Sequence, residues 1–458
     1  MINLQSLLDF SHTKYKCIKG SAGTGKTHTI STIIKDCPER CVVVSFTNKA
    51  VSVLRDKGVP AFTIHKAFYM PIDTGEIRTV MQPVIDAETH LPIKDKNGNI
   101  LYNEVTEPIY KYEFSESKLR DVCKSLAVPL SHAIVIVDEA SMVPAEIWAK
   151  LLTEFSGNLI LVGDDKQLPP VDNEELQELK SQINNHNLSS EERQNAAYLK
   201  NELYPQDGFF LKLTPDITLT KNHRQGLNNA ILDVANTIIQ TGNWPCPFEA
   251  DNVICANWIK SGVSIESDMA RSIFANADVV IAHKNSTCRT INSLIRSERY
   301  ASEFAKLTEL KQRMPRLGDK LYVTKTLKLD RDTQITKGEI LTIASEPIFD
   351  LVQNIAVVDL GEIDSGGQTK SYYENVTLRL DFVTGAKSSK ALPGLWAEYG
   401  YCITCHKSQG SQWQSVVVID EGVWHSRKEW LYTAVTRASH MLVVIGYMTQ
   451  RAHLGVGK

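Results

Sequence analysis

Short apolar runs recur along the chain, and turn residues and a helix-like stretch follow each of them. The clearest strand candidates are Cys41–Phe46, Ala133–Val137, Leu159–Val162, Val279–Ala282, Ser415–Ile419 and Met441–Ile445. Runs that are apolar on both faces are typical of strands in the buried centre of a parallel sheet. Their alternation with helices predicts an α/β fold built in layers.

Three stretches break this pattern. Residues 69–113 are rich in turn residues and short β-like runs, and Asn97-Gly98 is a typical hairpin turn. Residues 317–399 also look all-β. Residues 172–208 are polar and rich in Asn, Gln and Glu, which predicts a solvated helical insertion.

The composition is that of an ordinary globular protein. Of 458 residues, 43% are hydrophobic and 22% are charged, and the net charge of −3 provides no global basic field. No apolar run approaches the roughly 20 residues that span a bilayer. The first sixteen residues lack the pattern of a secretory signal, and nine scattered cysteines fit a reduced compartment. We therefore expect two or more domains in a cytoplasmic protein, in the host cytoplasm if the source is a virus.

One segment matches the phosphate-binding pattern G-x-x-x-x-G-K-[ST]. It consists of Gly20, Ser21, Ala22, Gly23, Thr24, Gly25, Lys26 and Thr27. A strand candidate precedes it and a helix-like stretch follows it, which is the context that the pattern needs. The N–H groups of such a loop and of the helix N-terminus bind phosphate oxygens. Lys26 would contact the β- and γ-phosphates and the Thr27 hydroxyl would bind Mg²⁺, so the sequence predicts ATP and Mg²⁺ as cofactors.

Carboxylates and an amide follow two of the strand candidates. Asp138 and Glu139 come directly after Ala133–Val137, at the strand end where open α/β sheets bind ligands. Asp138 is the predicted Mg²⁺ ligand, and Glu139 is the predicted base that orients and activates water. After Leu159–Val162, Asp164 and Gln167 are placed to sense the γ-phosphate.

Two arginines are candidates for neutralising the charge that develops during phosphoryl transfer. Arg224 lies in the segment Leu219–Gln225, and Arg437 lies in Tyr432–Ala438. The alternative for each is a surface arginine in an ordinary salt bridge.

Together these segments resemble superfamily-one DNA helicases of the RecD/Dda-like group. The resemblance covers most of the chain and adds, in the family's order, the segments Ser45–Val51, Thr63–Phe68, Ala282–Asn285 and Thr404–Gly410. It implies two RecA-like P-loop motor domains with parallel sheets, DNA-stimulated ATP hydrolysis, and 5′→3′ movement on single-stranded DNA that is coupled to unwinding.

The resemblance also implies a domain plan. Motor domain 1 would comprise 1–68 and 114–213, including the polar insertion, and motor domain 2 would comprise 214–316 and 400–458. Residues 69–113 would form a β-rich pin-type hairpin insertion that splits the duplex. Residues 317–399 would form an SH3-like β insertion over the DNA channel.

The resemblance further assigns residues to two ligands. Nucleotide contacts beyond the phosphate loop would come from Gln5, His28, Asp164, Gln167 and Gly410. The DNA contacts would come from Thr47, Asn48, Thr63, His65, Lys66, Phe68, Asn285, Thr404, His406 and Lys407. The implied partners are single-stranded DNA, DNA forks and proteins of replication, recombination or repair, and the chain would act as a monomer away from membranes.

The sequence leaves other functions open. A translocase that walks on single strands without unwinding would share most of these features, as would a non-motor P-loop ATPase or a structural subunit with a vestigial ATP site. Cys402, Cys405 and His406 also match the C-x-x-C-H pattern of haem attachment, and zinc is a second metal alternative. Haem attachment would require export, for which we find no signal.

Overall fold

The structure of the chain is a computed structural model. It describes residues 7–84, 93, 95–96, 101–221, 230–258, 262–329, 333–352, 354–363, 369–384, 394–422 and 426–446. The chain divides into two compact units. The first unit comprises Met1–Pro71, Tyr112–Asn243 and His425–Thr436, and the second comprises Ile72–Lys111, Trp244–Trp424 and Arg437–Lys458.

The first unit is built on a sheet of six parallel strands. They are β1 (Tyr15–Gly20), β2 (Cys41–Ser45), β3 (Ala61–Thr63), β6 (Ile134–Asp138), β7 (Asn158–Gly163) and β8 (Ile217–Leu219). Their spatial order is β3-β2-β6-β7-β1-β8. Alternate residues of β6 enter two separate cores, with Val135 and Val137 in one and Ile134 and Ile136 in the other. Both faces of the sheet are therefore buried, which explains why its strands are apolar throughout.

Helices cover this sheet. They are α1 (Lys26–Asp36), α2 (Asn48–Asp56), α3 (Ile64–Phe68), α4 (Glu116–Ser125), α5 (Ala145–Thr153), α6 (Glu174–Asn184), α7 (Ser190–Leu203), α8 (Phe209–Lys212), α9 (Ala230–Thr241) and α16 (Arg427–Val435), with 3₁₀ turns at Leu130–His132 and Ala140–Met142. Helices α6 and α7 lie in the stretch 172–208, for which helices were predicted, and its role as an insertion stays a prediction. A capping box between Ser189 and Glu192 begins α7 and satisfies two backbone N–H groups of its first turn.

The second unit has its own parallel sheet. Its strands are β9 (Phe248–Ala250), β10 (Val253–Asn257), β11 (Val279–Ala282), β20 (Cys402–Thr404), β21 (Trp413–Asp420) and β22 (Ala438–Gly446). The spatial order is β20-β11-β21-β22-β10-β9, and only β9 is antiparallel to its neighbour. Apart from the edge strands β8 and β9, the two parallel sheets have the same strand order. The predicted pair of α/β units with parallel sheets is therefore confirmed, as are all six strand candidates.

An antiparallel sheet lies between β11 and β20 in the sequence. It contains β12 (Lys320–Val323), β15 (Ile340–Ile343), β16 (Ile348–Asp350), β17 (Ile355–Ile363), β18 (Thr369–Arg379) and β19 (Ala397–Tyr399). The strand order is β16-β17-β15-β12-β19, and β18 pairs with β17. Its core is separate and includes Leu321, Leu341 and Leu378. The short strands β13 (Leu327–Lys328) and β14 (Gln334–Ile335) pair beside it.

The helices of the second unit are short except for one. They are α10 (Asp268–Ala275), α11 (Asn285–Arg299), α12 (Ala301–Phe304), α13 (Glu309–Arg313), α14 (Asp381–Thr384) and α15 (Cys405–Ser408). Among the residues that the structure describes, no helix is both long and apolar enough to cross a membrane.

A long two-stranded ladder occupies the predicted pin region. It consists of β4 (Tyr69–Pro83) and β5 (Tyr102–Phe114). The Ser115 N–H donates to the Phe68 carbonyl at 2.7 Å and closes the base of the ladder. The predicted turn at Asn97-Gly98 lies outside the described residues.

Two segments that the predicted domain plan assigned to motor domain 2 lie in the first unit. Strand β8 pairs with β1 and α9 belongs to the first unit, although motor domain 2 was predicted to begin at residue 214. Helix α16 also belongs to the first unit, although it was predicted in motor domain 2. Both differences arise from tertiary packing, because α9 and α16 pack on each other. The roles of the pin-type and SH3-like insertions stay predictions.

Candidate functional site

The phosphate loop joins β1 to α1. Gly23 and Gly25 have φ angles of 82° and 87°, which favour glycine because a Cβ would be strained there. Gly20 is required for space, since a Cβ on it would lie 2.5 Å from Thr24 Oγ1 and 2.9 Å from Leu219 Cβ. The sequence pattern therefore corresponds to a tightly folded loop that opens onto the first turn of α1.

Lys26 is the first residue of α1, and its ammonium group lies at the loop. Nζ donates to the carbonyls of Gly20 at 2.8 Å and Ser21 at 3.2 Å, and lies 4.0 Å from Asp164 Oδ2. Thr27 is half-buried beside it, and His28 is exposed. The loop thus holds a largely buried cation where the pattern places the β- and γ-phosphates.

The acidic pair lies at the carboxyl end of β6, as predicted. Asp138 is 7% exposed, and burial together with the charge of Glu139 raises its pKa to about 7, although Lys26 opposes this shift. Glu139 has a left-handed φ of 50°. Within the described ranges, Glu139 Oε2 and Gln167 Oε1 are buried acceptors without a hydrogen-bond partner. Such atoms indicate a polar ligand or a cation at this position.

Asp164 is the centre of a hydrogen-bond cluster beyond β7. It is fully buried, and burial raises its pKa. Oδ1 accepts the Lys166 N–H at 3.1 Å, and Oδ2 accepts the Tyr432 hydroxyl at 2.9 Å and Gln167 Nε2 at 3.4 Å. The predicted γ-phosphate sensors Asp164 and Gln167 therefore contact each other, and Asp164 also lies near Lys26.

Helix α16 contributes residues that sequence reasoning missed. The Tyr432 hydroxyl accepts the Ala22 N–H of the phosphate loop at 2.9 Å. Thr433 Oγ1 accepts the Leu168 N–H at 2.8 Å. Both residues belong to the segment Tyr432–Ala438, which was singled out for Arg437 alone. The sequence feature that could have pointed to this role is the tyrosine that begins the segment, Tyr432.

A cavity of about 380 Å³ lies beside the phosphate loop within the first unit. Its lining includes Lys19, Ser21, Lys166, Thr218 and Tyr432. Lys166 Nζ donates to Ser21 Oγ at 2.8 Å, and Lys19 Nζ lies 3.3 Å from Asp165 Oδ2. The cavity is thus polar on the loop side and carries two lysines, which suits a phosphorylated ligand.

The arginine assignments stay predictions. Arg437 is buried, and its Nη1 donates to the Ser411 carbonyl at 3.2 Å within the second unit. Arg224 and Gln5, the latter a predicted nucleotide contact, lie outside the described residues. Gly410 has a φ of 75° and directly precedes Ser411.

The predicted DNA contacts of the first unit lie at the ends of β2 and β3. Thr47 caps α2 and Thr63 caps α3 through their side-chain oxygens, and Asn48 is the first residue of α2. His65 and Lys66 are exposed. This edge therefore presents polar side chains and a cation in one place.

Phe68 corrects one prediction. It is fully buried, with its ring 5.3 Å from the rings of both Phe114 and Phe155. Phe68 is a core residue at the base of the β4–β5 ladder, because three aromatic rings pack together there, and its ring offers no exposed surface for the predicted DNA contact.

The predicted DNA contacts of the second unit lie at the ends of β11 and β20. Asn285 and His406 are exposed, whereas Thr404 is 9% exposed. Lys407 Nζ lies 2.6 Å from Glu398 Oε2 and 5.2 Å from the ring centroid of Tyr322, both in the antiparallel sheet. Lys407, a predicted DNA contact, is thus packed against that sheet.

A Thr-x-His-Lys pattern follows one edge strand of each parallel sheet. Thr63-Ile64-His65-Lys66 follows β3, and Thr404-Cys405-His406-Lys407 follows β20. Thr63 pairs with Ser45 of β2, and Thr404 pairs with Ala282 of β11. Each threonine ends a strand and precedes a short helix, so the two segments occupy corresponding places in the two sheets. The sequence contained this repeat, but only the registers show that it is structural.

Glu421 is a third residue that sequence reasoning missed. Its carboxylate accepts the N–H groups of His283 and Lys284 at 2.9 Å each and the Thr287 hydroxyl at 2.5 Å. It is 7% exposed. Glu421 therefore positions the first turn of α11, from which Asn285 projects.

The structure gives no support to haem or metal binding by the C-x-x-C-H segment. Cys402 and Cys405 are buried, and burial raises the pKa of Cys405 to about 12, which disfavours the thiolate that binds metals. In the part of the chain that the structure describes, no three His, Cys, Asp or Glu side chains are placed to hold a metal ion.

Two family models match the chain. One is described as an AAA domain and matches residues 5–173, and the other is described as a UvrD-like helicase C-terminal domain and matches residues 399–445. The first range contains the phosphate loop, the acidic pair and Gln167. The second contains Thr404–Gly410 and Arg437.

Three similar proteins span nearly the whole chain. An uncharacterized protein of Acanthamoeba polyphaga mimivirus is 21% identical over 520 residues, covering 94% of each chain. A Bacteroides Pif1 helicase solved with ADP-AlF3 and single-stranded DNA is 17% identical, with a TM-score of 0.49, covering 100% of this chain and 98% of that one. Pif1 helicase from Candida albicans is 16% identical, with a TM-score of 0.46, covering 99% and 97%.

Proposed function

We propose that this chain is an ATP-dependent DNA helicase of superfamily one, and we assign it a direction of movement and a role for each site residue. It moves 5′→3′ on single-stranded DNA and couples ATP hydrolysis to unwinding. The observation that carries the proposal is the convergence on one phosphate loop of Lys26, the acidic pair and the Asp164–Gln167 cluster.

The residues present fit Mg²⁺. Asp138 supplies a buried carboxylate, Thr27 a hydroxyl, and the buried Glu139 Oε2 is without a partner among the described residues. Mg²⁺ commonly takes one or two carboxylates and completes its shell with phosphate oxygens and water. Thr27 and Asp138 would hold the ion, which would neutralise charge on the phosphate oxygens.

Glu139 and Gln167 act on the attacking water in this proposal. Both residues have a buried acceptor oxygen without a partner within the described residues. An acceptor of this kind orients a water molecule, and a carboxylate also takes its proton. Lys26 neutralises the β- and γ-phosphates, and Asp164 holds Gln167 in place.

Arg224 and Arg437 complete the site by stabilising charge on the transferred phosphoryl group. An arginine in this role contributes roughly 10³-fold or more to turnover. Arg437→Ala is therefore expected to lower turnover far more than it weakens nucleotide binding. Single-turnover hydrolysis and fluorescent ADP titration separate the two effects, and an equal loss of both contradicts the role.

In this proposal, DNA binds to the two corresponding segments that follow β3 and β20. His65 and Lys66 form one contact surface and His406 and Lys407 the other, because backbone phosphates require cations and polar donors. Asn48 and Asn285 begin the neighbouring helices and supply further donors.

The β4–β5 ladder favours unwinding over translocation alone. Ile72, Ile77, Ile109, Tyr110 and Tyr112 are exposed along it. A ladder with exposed apolar and aromatic side chains is suited to insertion at a fork, where it stacks on the last base pair. The substrates in this proposal are single-stranded DNA and forks met in replication, recombination or repair, and the chain acts as a cytoplasmic monomer.

The test uses matched duplexes that carry either a 5′ or a 3′ single-stranded tail. We expect ATP-dependent strand separation only with the 5′ tail, and none with Lys26→Ala on either substrate. Separation of the 3′-tailed duplex alone refutes the direction. DNA-stimulated hydrolysis without separation of either duplex would assign the chain to the translocases, and hydrolysis that ignores DNA would assign it to non-motor ATPases.

A further inference from the structure

We propose that Tyr432 is a positioning residue that couples occupancy of the phosphate loop to the segment that carries Arg437. The inference deepens the proposed function and rests on it. Tyr432 is 2% exposed and lies on α16, far along the chain from the loop. Its hydroxyl accepts the Ala22 N–H at 2.9 Å and donates to Asp164 Oδ2 at 2.9 Å.

The hydroxyl competes with a phosphate oxygen for the same donor. Ala22 lies inside the phosphate loop, whose N–H groups bind phosphates in nucleotide sites. Burial and the adjacent Asp164 carboxylate raise the pKa of Tyr432, so the hydroxyl stays protonated and keeps donating to Asp164. A phosphate at the loop therefore displaces the acceptor end of this bridge and leaves the donor end in place.

Helix α16 can move as a rigid unit and so transmit a displacement of Tyr432 to Arg437. Residues Trp430–Val435 are all buried, and the neighbouring Thr433 is tied to the Leu168 N–H at 2.8 Å. Arg437 follows the end of α16 by two residues. A shift of the Tyr432 hydroxyl is thus carried through a short, packed helix to the arginine that the proposed mechanism needs.

Tyr432→Phe removes the hydroxyl and keeps the ring that fills the core. Loss of one buried hydrogen bond from the transition state is expected to lower turnover about tenfold. Affinity for ADP should be unchanged or tighter, because the competitor for the Ala22 N–H is gone. A merely structural role would lower affinity and turnover together, since a damaged loop binds nucleotide poorly.

The experiment measures fluorescent ADP binding and single-strand-stimulated ATP hydrolysis for four variants of the full chain. They are Tyr432→Phe, Arg437→Ala, the double variant, and Tyr204→Phe as the control. Tyr204 is also a buried tyrosine that bonds a carboxylate, that of Glu175, but it lies in the helical insertion. Tyr204→Phe should match the wild type in both measurements.

If Tyr432 acts through Arg437, the double variant turns over no more slowly than Arg437→Ala alone. Multiplying losses overturn the proposal, as does unchanged turnover or an affinity that falls in parallel with turnover in Tyr432→Phe. A wild-type chain whose hydrolysis ignores DNA would instead refute the proposed function. The two failures are therefore distinguishable.

Discussion

Arg296 forms the most buried ion pair of the second unit among the residues described. Its side chain is 4% exposed and that of Asp319 is 0% exposed, and their Nε–Oδ1 and Nη2–Oδ2 distances are 2.9 and 3.1 Å. Its other nitrogen donates to the Gln312 carbonyl at 2.9 Å, and the guanidinium lies 4.1 Å from the ring centroid of Tyr399. The pair joins α11, which carries Asn285, to the antiparallel sheet at β12.

Arg296→Ala is expected to weaken the contact between α11 and the antiparallel sheet at β12. Removing one partner of a buried pair costs roughly 3–5 kcal/mol, because the other charge is left unpaired. Asp319 keeps the Arg316 N–H at 2.8 Å and the Tyr401 hydroxyl at 3.0 Å, which favours the lower end of that range. About 3 kcal/mol corresponds to a change of about a hundredfold in the local opening equilibrium.

Hydrogen exchange measures that opening within each unit, which a single unfolding curve of a two-unit chain does not. Exchange of α11 and β12 amides should rise about a hundredfold in Arg296→Ala, whereas β6 and β7 in the first unit should be unchanged. The double variant Arg296→Ala/Asp319→Ala should lose less than the sum of the single variants. A rise of less than about tenfold in α11 and β12 would refute the reasoning that the unpaired carboxylate is costly.

Three further predictions concern the first unit and the ladder. Gly20→Ala places a Cβ 2.5 Å from Thr24 Oγ1 and should destabilise the loop by about 1–3 kcal/mol, which weaker ADP binding would report and unchanged binding would contradict. Replacing residues 71–112 with a short Gly-Ser linker should reduce unwinding more than DNA-stimulated hydrolysis, whereas equal losses would point to a folding role. Burial raises the pKa of Asp138 to about 7, so its carboxyl group gains a proton as the pH falls through 7 and loses Mg²⁺ affinity. The Mg²⁺ concentration for half-maximal hydrolysis should therefore rise about tenfold from pH 8 to pH 6, and a constant requirement would contradict a Mg²⁺-binding Asp138.

The sequence by itself determined three central strands of each parallel sheet and the phosphate loop. Burial on both faces forces each strand to be apolar along its length, and that pattern is visible in a few consecutive residues. The loop is equally local, because Gly20 and Lys26 belong to one turn between a strand and a helix. Asp138 was also predictable, since it directly follows an apolar run.

Contacts between distant segments were decided only by the tertiary structure. Tyr432 reaches Ala22 across 410 positions, and no periodicity in either segment predicts that meeting. Phe68 looked suited to stacking on bases, but packing against Phe114 and Phe155 buried it. Glu421 belongs to none of the sequence motifs, and its contact with the first turn of α11 depends on where β21 ends. Hydrophobic and turn patterns describe how a segment meets water and its neighbours in sequence, whereas the partner of a buried side chain depends on how whole elements pack.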